Sequence, residues 1–135
     1  MPKLLIIRGL PGSGKSTFAK KLCDYNLWHL YFEADTYFID EHDQYTFDAT
    51  KLRQAHNKCY DDAREALSNG YNVIVANTFT TSAELLPFFL LAQRFDIVPE
   101  VIVCQGNYGS IHNVPADRIE LMRKRFEWDI SHLFN

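Results

Sequence analysis

The chain has 135 residues, 47% of them hydrophobic and 23% charged, with a formal net charge of -3. That balance excludes a disordered or fibrous chain, and its acidic sign excludes a duplex-wide basic face for nucleic acid while leaving room for a small basic site. No apolar run approaches the length of a membrane span, so no membrane partner is expected.

A length of 135 residues predicts a single domain, 1–135, with its own core. Cys23, Cys59 and Cys104 are far apart and form neither a C-x-x-C pair nor a zinc spacing. The opening MPKLLIIRGL carries an apolar run too short for a signal peptide and leads straight into a glycine loop. Reduced thiols and a cytoplasmic location are the expectation.

Apolar runs alternate with helical patterns along the chain, the mark of an α/β fold with an open parallel sheet and crossover helices. The first strand is Lys3 to Arg8, continuously apolar as a strand covered on both faces should be. A helix follows from about Lys15 to Tyr25. The next strand, His29 to Asp35, delivers Asp35 at its carboxyl end. Thr36 to Asp48 is mixed aromatic and acidic and reads as a loop. The clearest helix runs from Thr50 to Asn69, with Leu52, Ala55, Cys59, Ala63, Ala66 and Leu67 at helical spacing and Gly70 as the stop. Tyr71 to Asn77 is the third strand, Ser82 to Phe95 the third helix, and Val98 to Cys104 the fourth strand. The last helix opens at Pro115 and carries Ile119, Met122 and Phe126 on one face.

Between the first strand and the first helix lies Gly9-Leu10-Pro11-Gly12-Ser13-Gly14-Lys15-Ser16, followed by Thr17, matching G-x-x-x-x-G-K-S/T. Glycines let the backbone curl so that successive N–H groups face phosphate oxygens, and the helix adds the positive end of its dipole. Lys15 is expected to reach the β and γ phosphates of a nucleoside triphosphate, and the Ser16 hydroxyl to ligate magnesium. Asp35 is the second candidate. Ligands of open parallel sheets sit outside the carboxyl ends of the strands, where a carboxylate can take a proton from an attacking hydroxyl or hold magnesium through water. The alternative for Asp35 is a helix or turn cap.

The runs RGLPGSGKST, ADTYF, YTFDATKLRQAHNKC, NVIVANT and HNVPADRIELMRKRFE resemble, in order and spacing, the polynucleotide-kinase-like P-loop kinases. The loop is common to many families; Phe47-Asp48, Ala55-His56 and Val114-Pro115 are the more specific matches. The resemblance implies a P-loop NTPase domain whose sheet of four, at most five, strands is ordered 2-3-1-4 with helices on both faces. It implies ATP with magnesium as donor, a hydroxyl acceptor such as a polynucleotide 5′ end, and Asp35 as general base. His56 falls on the family's helical Ala-His pair, near the acceptor; its alternative is packing on the core face.

Three departures accompany the match. Where such kinases usually end the third strand in an acid, this chain reads Ala76-Asn77-Thr78-Phe79. Where they usually carry a clamp arginine before the His and Val-Pro, it has Gly109 and Ser110. An arginine of that kind is worth about 10³ to 10⁵ in rate, so Arg118 and Arg125, seven residues apart and on nearly one helix face, are the expected substitutes, with Arg123 pointing elsewhere. Tyr37 and Phe38 stand where an acceptor-seating arginine is found in the family, and are read either as a stacking pair for a base or as packing. The acidic Asp40, Glu41 and Asp43 would repel a long phosphate backbone. The expected activity is therefore transfer of the γ-phosphate of ATP to an oligonucleotide end, a nucleoside or a small metabolite. The competing expectation is a nucleotide-binding module with lost or weak catalysis.

Overall fold

The computed structural model describes residues 1–25, 27–109 and 112–134. Strands β1 (Leu4–Arg8), β2 (Leu30–Phe32), β3 (Val73–Asn77) and β4 (Glu100–Val103) form a parallel sheet in the order β2-β3-β1-β4. Its register sets Ile6 beside Val75 on one side and Val101 on the other. Helices α1 (Lys15–Cys23), α2 (Leu52–Ser68), α3 (Ser82–Arg94) and α4 (Ala116–Arg125) complete the main elements.

Every residue of β1 and β3 is buried, which is why their sequences run apolar without alternation. Successive side chains still point to opposite faces. Leu4, Ile6, Val73 and Val75 pack with Ala55, Cys59 and Ala63 of α2 and with Leu85, Phe88 and Leu91 of α3. Leu5, Ile7, Ile74 and Ala76 pack with Ala19 of α1 and with Trp28. Helices thus lie on both faces, and the 2-3-1-4 order is the expected one. Cys23, Cys59 and Cys104 are free thiols. Among the described residues no helix is long and apolar enough to cross a membrane.

Several boundaries differ from the sequence reading. The edge strand β2 ends at Phe32, and the chain turns into a 3-10 turn, Ala34–Phe38, so Asp35 lies in that turn and not at the strand's end. The cause is Asn77, the last residue of β3: its side-chain Oδ1 accepts the Ala34 N–H at 2.8 Å, ending the backbone ladder. The Thr36 hydroxyl donates back to the Glu33 carbonyl at 2.7 Å and closes the turn. The turn is not capped by Asp35; Glu33 is the residue that precedes it. Helix α2 begins at Leu52, after a short 3-10 turn, Ala49–Lys51, that Asp48 caps by accepting the Thr50 N–H at 3.0 Å.

The segment between Asp35 and Asp48 is irregular, pinched by a bridge between Ile39 and Tyr45. Phe38 is buried there against Tyr37, Tyr45 and Phe47, with ring centroids 5.1–6.2 Å apart. Phe126 is not on α4: the helix stops at Arg125, and Phe126 turns into extended backbone and buries itself. What draws it out of the helix is the Arg8 guanidinium, which lies 4.1 Å from its ring centroid.

Candidate nucleotide site

The four strands end at one edge of the sheet, and the segments that follow them meet there. After β1 the loop turns through Gly12 (φ 79°) and Gly14 (φ 97°), a backbone that only glycine adopts cheaply. Gly9 is required for a different reason: a Cβ there would stand 2.6 Å from the Cys104 carbonyl oxygen and 2.5 Å from Ser13 Oγ. The loop is tied to its neighbours by Gly9 N–H to the Thr78 carbonyl (3.2 Å) and Tyr108 N–H to the Gly12 carbonyl (2.9 Å). Tyr108 is 81% exposed, with the edge of its ring beside Gly14 and Gly106.

Lys15 opens α1 and folds its ammonium over the loop, donating to the carbonyls of Gly9 (2.8 Å) and Leu10 (3.0 Å). Burial pulls its pKa down, and the nearby Glu33, Cys104 and Asp35 oppose that fall. The Ser16 hydroxyl donates to Glu33 Oε2 at 2.7 Å. Ser13 is buried, and its Oγ has no partner among the described residues. Leu10 and Pro11 are partly buried at the turn and Thr17 is exposed. Glycines at positive φ, a hydroxyl with spare capacity and an ammonium over backbone carbonyls fit the phosphates of a nucleotide, and the Ser16 and Glu33 oxygens are a hard donor set suited to magnesium.

Asp35 faces the same edge from the 3-10 turn, and both its oxygens have company. Tyr45 donates its hydroxyl to Oδ1 at 3.4 Å, while His112 Nε2 lies 3.9 Å from Oδ2. The Tyr45 and His112 rings stack with centroids 3.9 Å apart. Burial and the Asp35 charge push the Tyr45 phenol up to about 12, so it remains a donor. Asp35 is still 49% exposed and can meet another group. Tyr37 is partly exposed and donates to Gln54 of α2 at 3.3 Å, whereas Phe38 is core. His56 is exposed on α2 and is not packed against the core.

The two expected arginines part company. Arg125 donates from Nε to Thr80 Oγ1 at 3.1 Å, and Thr80, fully buried after β3, donates to Glu84 Oε1 at 2.6 Å. Arg118 is exposed at the start of α4, and Arg123 pairs with Glu120. Gly109 adopts φ 80°, and Ser110 lies outside the described residues.

Two residues escaped the sequence reading. Glu33 is legible only as the Glu-x-Asp spacing with Asp35, and nothing local says that it meets Ser16. Arg8 reads as the end of a strand, yet its guanidinium is fully buried, donating to the Phe79 carbonyl from Nε (2.9 Å) and Nη2 (2.8 Å).

A buried parallel strand, a glycine loop of this curvature, a lysine folded over it and a helix behind it make the chain a P-loop nucleotide-binding domain of kinase-like fold. A family model described as an AAA domain matches residues 4–107, and the chain belongs to that family. Human NEDD4-binding protein 2 is 36% identical over 92 residues, covering 67% of this chain and 5% of the human protein. A chain in the structure of a Pnkp1/Rnl/Hen1 complex aligns with a TM-score of 0.64 at 21% identity, over 89% of this chain and 38% of that one. Kti12 of Chaetomium thermophilum, solved with ADP-AlF3, aligns with a TM-score of 0.66 at 16% identity, over 92% and 80% of the two chains. These neighbours, with the family match, bear out the resemblance to polynucleotide-kinase-like P-loop kinases. The chain spans 5% of the curated human relative and 38% of the first of these structural neighbours.

Proposed function

We propose that the chain is a kinase that transfers the γ-phosphate of ATP to a hydroxyl. The observation that carries this reading is the meeting of the loop, Lys15 and a half-exposed Asp35 at one edge of the sheet. Lys15 and the loop N–H groups would hold the phosphates. The acceptor oxygen would attack the γ-phosphorus, the bond to ADP would break, and Asp35 would take the hydroxyl proton. The Ser16 hydroxyl would hold magnesium, which supplies charge neutralisation at the phosphate oxygens. Arg125, anchored on Thr80 in the segment after β3, would supply the positive charge of the missing clamp arginine, with Arg118 at the start of α4 as the second candidate. Tyr37 and His56 would face the acceptor. The acidic stretch at Asp40 to Asp43 favours a short oligonucleotide end, a nucleoside or a small metabolite as acceptor. Most of the rate would come from positioning and charge.

A second reading, a nucleotide-binding module acting through partners, draws on Ala76, which is 1% exposed and carries no acid. It also draws on the matched segment being a small part of a protein named for binding NEDD4. Incubation with γ-labelled ATP and a panel of 5′-hydroxyl oligonucleotides, nucleosides and nucleoside monophosphates separates the two. Under the kinase reading an acceptor is labelled, and Asp35→Asn lowers turnover by about 10² to 10⁴ with ATP affinity preserved. Tight ATP binding with no labelled acceptor leaves the module reading in its place.

A further inference from the structure

The two acids at the end of β2 point at different tasks. Glu33 Oε2 accepts the Ser16 hydroxyl at 2.7 Å, whereas Asp35 is engaged by Tyr45 and faces His112. The backbone that carries Glu33 is anchored on both sides. The Glu33 carbonyl accepts the Thr36 hydroxyl at 2.7 Å, and the next N–H, that of Ala34, is fixed on Asn77 of β3 at 2.8 Å. The neighbouring strand offers no rival, since β3 ends in Ala76 and Asn77, which carry no charge, and Ala76 packs beside Ala19.

A magnesium ion on phosphate oxygens keeps several waters and takes only one or two protein ligands. It therefore needs no cluster of three ligating side chains, and among the described residues there is none. What it does need beside a neutral hydroxyl is a fixed negative oxygen within hydrogen-bond reach.

We propose that Glu33 is the acid that organises magnesium at this site, orienting the Ser16 hydroxyl and the ion's waters, while Asp35 is left to the acceptor. Glu33 is a positioning residue: it acts through Ser16 and the cation. The proposal rests on the reading of the loop as a nucleotide site, and it stands whether or not phosphate is transferred.

Its test is metal binding. The full chain is saturated with a non-hydrolysable ATP analogue and titrated with Mn²⁺, and the free ion is followed by electron paramagnetic resonance. Glu33→Gln is expected to weaken Mn²⁺ binding about 10- to 100-fold, with metal-free affinity for the analogue retained or improved because a negative charge has gone. Glu33→Asp, which keeps the charge, should recover part of the loss and controls for folding. Asp35→Asn should stay within about threefold of wild type. Mn²⁺ binding by Glu33→Gln equal to wild type overturns the proposal, as does a larger loss in Asp35→Asn, or analogue binding by wild type that Mn²⁺ leaves unchanged. A Glu33-dependent metal effect with no labelled acceptor removes the kinase reading and leaves this one.

Discussion

Gly9 shows how a single hydrogen atom can be a structural requirement. Its backbone is not in the left-handed region, so the constraint is space: a methyl group would meet the Cys104 carbonyl oxygen at 2.6 Å, and backbone cannot step aside as a long side chain can. Gly9→Ala should therefore cost about 1–3 kcal/mol, seen as a lower denaturant midpoint, and should weaken ATP binding because the loop must shift. Gly70 is the contrast. It has φ 84° and open space around it, so substitution there strains the backbone only, at the end of α2 and away from the loop. Motif reading finds Gly9 through G-x-x-x-x-G-K-S/T, but the reason for it, the approach of the segment after β4, lies in the sheet order. Asp35 is similar. Its place after the second strand is legible from the pattern of apolar residues, while its neighbours Tyr45 and His112 come from an irregular loop and from the chain before α4, where no period guides prediction.

At the scale of elements, the edge of the site after β3 is organised by the start of α3. Thr81 caps that helix, its side chain accepting the Glu84 N–H, and the Thr-x-x-Glu spacing is that of a capping box. Here the Glu84 carboxylate also accepts the Thr80 hydroxyl at 2.6 Å, and that hydroxyl in turn accepts Arg125 Nε at 3.1 Å. One hydroxyl thus joins α3 to α4. Thr80→Val keeps the shape and removes both bonds, so a loss of about 1–3 kcal/mol is expected in chemical denaturation. The double variant with Arg125→Ala should lose little more than Thr80→Val alone, because the Arg125 bond is one of the two that Thr80→Val already removes. Additive losses would show that Thr80 and Arg125 act separately. Helical spacing predicts α3 and its start well, since a cap and a period are local signals. Phe126 was expected on α4 because its spacing continues the helix, and it leaves because a buried cation needs an aromatic cover, a demand made by a residue far away in sequence.

At the scale of the whole molecule, Arg8 joins the first strand to the last segment. Its guanidinium is fully buried among the Phe79 and Thr80 carbonyls and the Phe126 ring. Burial pulls its pKa down, opposed by Glu127 and Glu84. Phe79 is held there at φ 46°, a backbone costly for a bulky residue, by the same hydrogen bonds and by packing on Phe88 with ring centroids 5.5 Å apart. Arg8→Ala would leave two buried carbonyls without that donor and a void under Phe126. An expected loss of about 3–5 kcal/mol follows, measured by thermal or denaturant unfolding, and a change of less than about 1 kcal/mol would contradict the account. The sequence by itself determined the nucleotide loop, the alternation of strands and helices and, through the resemblance, the 2-3-1-4 sheet, because loop curvature, caps and hydrophobic periods are carried by residues close together in the chain. Only the tertiary structure decided that Ser16 meets Glu33, that Asp35 meets Tyr45 and His112, and that Arg8 rather than the α4 face claims Phe126. Those contacts join separate elements, and their partners are chosen by strand register and by the need of each buried charge for a counterpart.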